Sequence, residues 1–293
     1  MTRRDSGPKE VKTGEQSSLA TQDGKDDRRI PLQKAMRIIE QLAASDQSSW
    51  GVRELARALD LAPSTVYRLL CMLEEVSIVE SKGDGGRYGI ALDFFRLASQ
   101  IAQRLPMRET ARRELQTLAG LSGESVYLAR YEPRKRSFMF VDHIVSTHPL
   151  RYEMALYEWL DLRIGAGGLG ILAFLPAEEI DSVLSQEAPS KLTERTVTDR
   201  RLIEAELERV RQQGYVVSIG RRIVGAVGIA APIVDAQECV VGAVVLALPE
   251  SHLPEYDAEG LAADVVRAAR MVSAGLGAQQ PATAHSGRES SRW

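Results

Sequence analysis

The chain has 293 residues, room for two domains, and a net charge of −3 from 37 basic and 40 acidic side chains. So even a balance excludes a protein that holds nucleic acid by bulk charge alone. Two cysteines and four histidines in no ligand spacing argue against a disulfide framework, a metal site or a cofactor. Without a run of ~18 apolar residues or a leader pattern, a cytoplasmic protein with no membrane contact is expected.

Residues 1–28 are polar and charged, and read as a disordered tail. Arg3, Arg4, Lys25, Arg28 and Arg29 there are either solvated or brush DNA as an arm. A DNA-binding domain is expected over residues 29–91. Leu32, Ala35, Met36, Ile39, Leu42 and Ala43 recur at helical spacing and give a supporting helix. Trp50 reads as a wedge between helices. Val52, Leu55, Ala56 and Leu59 then form one apolar stripe, and Asp60-Leu61-Ala62 a short turn. Pro63 suits the first turn of a second helix, whose buried face is Val66, Leu69, Leu70, Leu73 and Val76. Two short helices at this spacing are a helix-turn-helix, the second placed to enter a DNA major groove. Ser64 and Thr65 lie at its N-terminus, where hydroxyls and free N–H groups meet phosphate; Tyr67 and Arg68 face outward. Arg68 is the best candidate for a guanine, because its fork bonds two acceptors. Cys71 lies on that outer side, an incidental small residue or, less simply, a redox switch.

Ile78–Glu80 and Arg87–Ile90 flank a glycine-rich turn and read as a hairpin, a wing with Lys82 and Arg87 beside its tip. The plainer alternative is a helical hairpin and a β-turn within an ordinary core. From Arg28 to Ile90 there are nine basic against eight acidic residues, so binding must rest on a few placed cations and on pairing of two copies.

Phe94, Leu97, Ala98, Ile101 and Leu105 mark a linker helix over 92–106 that needs an apolar partner. A second domain is expected over 107–277, and a polar tail over 278–293. The second domain opens on a helix through Ala111, Leu115, Leu118 and Ala119, closed by Gly123. Strands are expected at Ser125–Tyr131, Ser137–Ile144, more weakly at Leu150–Leu156, then Tyr215–Ser218, Val227–Val234 and Val240–Leu248. Ile164–Leu175 reads as a glycine-rich loop leading into a helix ended by Pro176. Thr198 is expected to cap a helix over Asp199–Gln213, and a last helix spans about Glu255 to Leu276. The fold class is therefore α+β, with one mixed sheet in the second domain. Arg134-Lys135-Arg136 reads as surface charge at a hairpin tip. Arg221-Arg222 reads as a solvated loop pair, or as a partner for an anion.

The segments LARALDLAPSTVYRLLCMLEE, TERTVTDRRLIEAELERVRQQGY and GIAAPIVDAQECVVGAVVLALP, with the wing and linker helices in order, resemble the IclR family of bacterial transcriptional regulators over about residues 30–277. The resemblance implies a winged helix-turn-helix joined by linker helices to a GAF-like effector-binding domain. It also implies dimers, often paired into tetramers, that bind double-stranded operator DNA as repressor or activator under control of a small carboxylate. Effector positions carried over by it are Ala166, Gly167, Gly168, Ser218, Gly228, Val245 and Ala247. This chain departs from the family there. Ser218 stands where an acidic residue is common, Gly228 where a Cys often precedes Ala-Ala-Pro, and Val245 and Ala247 where Ser-x-Ser often lies. These changes favour an effector larger or more hydrophobic than a two- or three-carbon keto acid, held by the N–H groups of Gly167 and Gly168. The alternative is a degenerate second domain that serves only oligomerisation. Nothing supports an enzyme: there is no Ser/His/Asp set, no paired carboxylates and no phosphate loop, and GAGGLG lacks the strand and downstream acid of a dinucleotide site.

Overall fold

The computed structural model describes residues 20–45, 47–83 and 86–279, and for residues 20–29 and Gln103 the backbone alone. Residues 1–19 and 280–293 of the expected tails lie outside. The chain forms two compact units, Met1–Ala102 and Gln103–Trp293. Among the described residues no helix is long and apolar enough to cross a membrane.

The first unit runs α1 (Ala20–Ala43), β1 (Trp50–Gly51), α2 (Val52–Leu59), α3 (Pro63–Glu75), β2 (Val79–Lys82), β3 (Arg87–Ile90) and α4 (Leu92–Gln103). α1 begins at Ala20, so residues 20–28, expected as a tail, are helical, ahead of Pro31 within the same helix. Its inward face is Ala35, Ile38, Ile39 and Leu42, an i, i+3, i+4, i+7 stripe. Leu32 and Met36, expected inside, lie on the neighbouring stripe and are exposed. α2 contributes Leu55, Ala56 and Leu59, and α3 contributes Val66, Leu69, Leu70 and Leu73. Val76, also expected inside, is the C-cap residue, where the chain leaves the helix, and its side chain is exposed. Asp60 takes the left-handed conformation that turns α2 into α3.

β2 and β3 form the expected hairpin, and β1 adds a third antiparallel strand along β3, pairing Trp50 with Tyr88 and Gly51 with Arg87. Two residues show no periodicity, so this strand is invisible in the sequence. Trp50 sits in that strand, packed against the core of the unit, not between helices. Gly89 is needed there, because a Cβ would lie 2.6 Å from the Ser48 carbonyl oxygen.

The second unit is one six-stranded sheet. Its strands are β4 (Ser125–Glu132), β5 (Ser137–Ile144), β6 (Leu160–Asp161), β7 (Val216–Ile219), β8 (Ala226–Val234) and β9 (Val240–Pro249), in the order β6-β5-β4-β9-β8-β7. Every pairing is antiparallel, so the sheet is not mixed. The expectation failed because both faces are covered, which turns alternating strands into near-continuous apolar runs. One face carries Val126, Leu128, Val244, Leu246 and Leu248 against α5 (Pro106–Ser122) and α9 (Ala258–Gly275). The other carries Tyr127, Ala129, Val245 and Ala247 against α6 (Gly165–Leu172), α7 (Ala177–Leu184) and α8 (Arg200–Gln213).

Several boundaries differ from expectation. Residues 150–156 are not a strand: Tyr157 N–H bonds the Phe140 carbonyl, but the stretch before it pairs with no neighbour. α6 begins directly at Gly165, with no loop before it. Pro176 does not end the helical region; it caps α7. Asp199, not Thr198, caps α8, its carboxylate accepting the N–H groups of Arg201 and Leu202. Gly123 and Gly214 close α5 and α8 in the left-handed conformation, each bonding back four residues.

Candidate functional site

The first unit offers a reading face. The N-terminus of α3 has no capping side chain and no acid in its first turn; Pro63 has no N–H and Thr65 N–H bonds the Ala62 carbonyl at 2.9 Å, so the Ser64 N–H is the one left to an anion. Ser64 is exposed there and Thr65 half-buried. Tyr67 and Arg68 are exposed one turn further, and Arg68 enters no ion pair among the described residues. The Tyr67 phenol is pushed up, first by a hydrogen bond with Cys71 one turn on. The two wing cations are placed differently from this pair. Lys82 forms an ion pair with Glu80 across the exposed edge of β2. Arg87 turns inward. Its guanidinium donates to the Ser49 carbonyl at 2.6 Å and hydroxyl at 3.1 Å, and meets Glu54 at 3.2 Å. Glu54 also accepts the Gly51 N–H at 2.9 Å, and that bond and Arg87 hold its carboxyl below the usual range. Carbonyl, hydroxyl and carboxylate converge on one fork, so Arg87 ties the wing to the start of α2.

The second unit offers a cavity of about 30 Å³ between α6, β5, β8 and β9. Ala166, Gly167, Ser218, Gly228 and Val245, five of the seven expected positions, line it. Phe138, Phe140, Met154 and Ile164 complete an apolar wall. Gly168 and Ala247 do not line it. A Cβ at Gly168 would lie 2.5 Å from the Leu162 carbonyl oxygen, and Ala247 is packed in the core beside Val245. The glycines of GAGGLG therefore bring α6 onto the sheet. At Gly167 a Cβ would press on Phe138 at 3.1 Å, and at Gly170 on Ala230 at 3.2 Å. Gly228 answers from the sheet, since a Cβ there would stand 2.9 Å from that of Ala166.

Polarity enters from one side. α6 starts with no side-chain cap and no acid in its first turn. The turn before it is fixed by Arg163, which is buried, donates twice to Asp161 at 2.6 and 2.9 Å, and reaches the Glu187 carbonyl at 2.8 Å. Burial works to raise the Asp161 carboxyl, but the bonds from Arg163 outweigh it and hold it below the usual range. The Arg221-Arg222 pair divides. Arg221 forms an ion pair with the buried Glu206, so it is not a solvated loop residue. Arg222 lines the cavity with its stem over Gly165 and enters no hydrogen bond or ion pair among the described residues. Burial pulls its guanidinium down, opposed in part by Asp161 and Glu158. Sequence reasoning weighed Arg222 only as one of a pair, because nothing in Arg-Arg says which one turns inward. No group of His, Cys, Asp and Glu among the described residues is arranged for a metal ion.

Comparison with known proteins agrees with this architecture. Residues 31–83 match the IclR helix-turn-helix domain, and residues 99–274 match the bacterial transcriptional regulator IclR C-terminal domain. The HTH-type transcriptional regulator KdgR of Escherichia coli is 26% identical over 235 residues, covering 80% of this chain and 89% of that one. The HTH-type transcriptional repressor AllR of Salmonella typhi is 29% identical over 253 residues, covering 85% and 91%. A putative regulator from Silicibacter sp. TM1040 shares the fold at a TM-score of 0.73 and 25% identity, over 86% of this chain and 98% of that one. An IclR homologue from Microbacterium hydrocarbonoxydans, crystallised with 4-hydroxybenzoate, superposes at 0.72 and 23% identity, over 84% and 98%; at that identity the likeness is one of fold.

Proposed function

The chain belongs to the IclR family of bacterial transcriptional regulators, and on that premise we propose that an organic acid in the α6 cavity controls its grip on operator DNA. Arg222 carries this reading: a half-buried guanidinium that enters no ion pair among the described residues and lines the same cavity as the apolar wall suits one carboxylate on a hydrophobic body. The uncapped start of α6 adds dipolar attraction for the same group. The Microbacterium fold neighbour holds an aromatic acid, so a chain of this fold accommodates that class. Calorimetric titration of the full chain with benzoate, 4-hydroxybenzoate, pyruvate and glyoxylate tests it. The aromatic acids bind more tightly; equal or tighter binding of glyoxylate overturns the reading. One observation favours a second reading, a domain that only oligomerises: about 30 Å³ holds about two waters.

On the DNA side, Ser64 and Thr65 meet phosphates, Tyr67 and Arg68 meet base edges, and Lys82 meets the backbone beside the wing. Arg87, already committed, acts by placing the wing. α4 exposes Leu97 and Ile101 on one side and Leu92 and Phe95 on the other, apolar surface suited to a second copy, so the working unit is a dimer, able to pair into a tetramer, in a cytoplasmic setting. Ligand preference for one state of the second unit shifts operator occupancy, a coupling of ~1–3 kcal/mol.

A further inference from the structure

About 30 Å³ leaves little room for an organic acid, and movement of the segments around the cavity would enlarge it. Two segments line the side away from the sheet. The first is residues 147–156, an arm without strand pairing, which supplies Met154 to the wall. It is anchored at both ends. Ser146 N–H donates to the Ser125 hydroxyl at 3.0 Å and its own hydroxyl to the Gly123 carbonyl at 2.6 Å, while Tyr157 N–H bonds the Phe140 carbonyl at 2.8 Å. The second is the loop 220–225, which supplies Arg221, Arg222 and Ile223. Thr193 and Thr196 hold the carbonyls of Gly220 and Arg221, each at 2.7 Å, and Glu250 N–H holds that of Gly225 at 2.7 Å. Gly220 and Gly225 bracket the loop at φ +66° and +75°, a natural pair of hinges. Between the anchors the two segments meet at the Tyr152 hydroxyl, which donates to the Val224 carbonyl at 3.0 Å. The fit is close, since a Cβ at Gly225 would stand 2.8 Å from that hydroxyl. The root of the arm rests on the fully buried Tyr127, whose hydroxyl donates to the Tyr152 carbonyl at 2.9 Å and accepts the Met154 N–H at 3.2 Å.

We propose that these two segments are a lid over the cavity, latched by the Tyr152–Val224 hydrogen bond, and that breaking this latch is the step that admits the acid. The admission step rests on the function proposed above; the latch does not. Tyr127 is the seat of the arm, so opening lifts Tyr152 and Met154 off its hydroxyl and frees the Met154 N–H while β4 and β5 stay in place. Met154 and Arg222 lie on opposite leaves, so opening parts the apolar wall from the cation and closing brings both onto the ligand.

The test uses the full chain and the Tyr152→Phe variant. Without any ligand, amide hydrogen exchange at Met154 and Ala226 accelerates about three- to tenfold in the variant, the opening that one ordinary hydrogen bond restrains, while exchange in β8 and β9 beyond Ala226 is unchanged. Unchanged exchange at Met154 and Ala226 overturns the latch; faster exchange throughout β8 and β9 overturns it too, because the variant then loosens the whole unit. Stopped-flow binding of 4-hydroxybenzoate follows, with association faster by a similar factor in the variant. Binding at an unchanged association rate overturns the admission step. Faster exchange with no binding to either protein leaves the latch standing and overturns the assignment of the cavity to aromatic acids.

Discussion

The face of α3 and the wall of α6 solve opposite problems with the same kind of element. α3 is held by large side chains, Val66, Leu69, Leu70 and Leu73, at ordinary helix-packing distance, which leaves its outer side chains free to read. α6 is held by the lack of side chains: all eight of its residues are buried, four are glycine, and its backbone lies against the sheet. Substitution on the outside of α3 should change recognition and leave stability alone. On α6 the reverse should hold, because a methyl group added at Gly167, Gly168 or Gly170 would meet atoms at 3.1, 2.5 or 3.2 Å.

The sharpest way to break that contrast is Gly168→Ala. The added Cβ meets the Leu162 carbonyl at 2.5 Å, so unfolding free energy should fall by about 3 kcal/mol in thermal or denaturant melts. An unchanged melt would mean α6 has slack. Arg68→Ala should instead keep the melting curve and weaken specific operator binding by about 1–3 kcal/mol, blurring preference at one base position in a binding-site selection. If affinity and preference both stayed, α3 would not be the reader through Arg68. Arg222→Ala should lower affinity for 4-hydroxybenzoate about tenfold with little loss of stability, since the guanidinium makes no hydrogen bond or ion pair among the described residues and meets Asp161 and Glu158 only at longer range. A fall in melting temperature without ligand would show that Arg222 is structural. The smallest effect concerns pH. The Asp161 carboxyl sits low in the folded chain, so its contribution is present above the ordinary carboxylate range and lost as pH falls through the folded value. Asp161→Asn should therefore narrow the gap in melting temperature between neutral pH and about pH 3; an unaltered gap would separate the Arg163 clamp from acid stability.

The same contrast explains what could be read from the sequence. A helix held by side chains writes a stripe, so α2 and α3 were legible, Asp60 turn and Pro63 start included, up to Val76, where the stripe outran the helix. Errors came where a stripe had a competitor, as with Leu32 and Met36 beside Ile38. A helix held by glycines writes no stripe, and the first turn of α6 read as a loop leading into a helix. α7 was missed because Ile180, Val183 and Leu184 cover barely one turn. Five of the six strands of the second unit were legible as apolar runs; β6, two residues long, was not, nor that the whole sheet is antiparallel, because runs buried on both faces lose the alternation that marks an antiparallel strand. Five of the seven positions carried over by resemblance meet at the cavity; Gly168 and Ala247 do not, since a motif records order along the chain and not which atoms face inward. Arg222 and the Tyr152 hydroxyl escaped for a related reason. Each matters through a segment distant in sequence, and neither sits in a pattern.

Arg87 has a mechanical consequence. With its fork spent on Ser49 and Glu54, the hairpin base cannot swing separately from the start of α2, and Gly89 leaves no room between β3 and the Ser48 backbone. The Glu74 carboxylate of α3 accepts the Ser81 N–H of β2 at 3.0 Å, so hairpin and reading helix also move as a single jaw. A half-site that alters the angle between groove and flanking phosphates cannot be met by bending the wing. It must be met by the DNA itself, so tolerance for variant operators should track the flexibility of the base steps between the two contacts and not the chemistry of the wing tip.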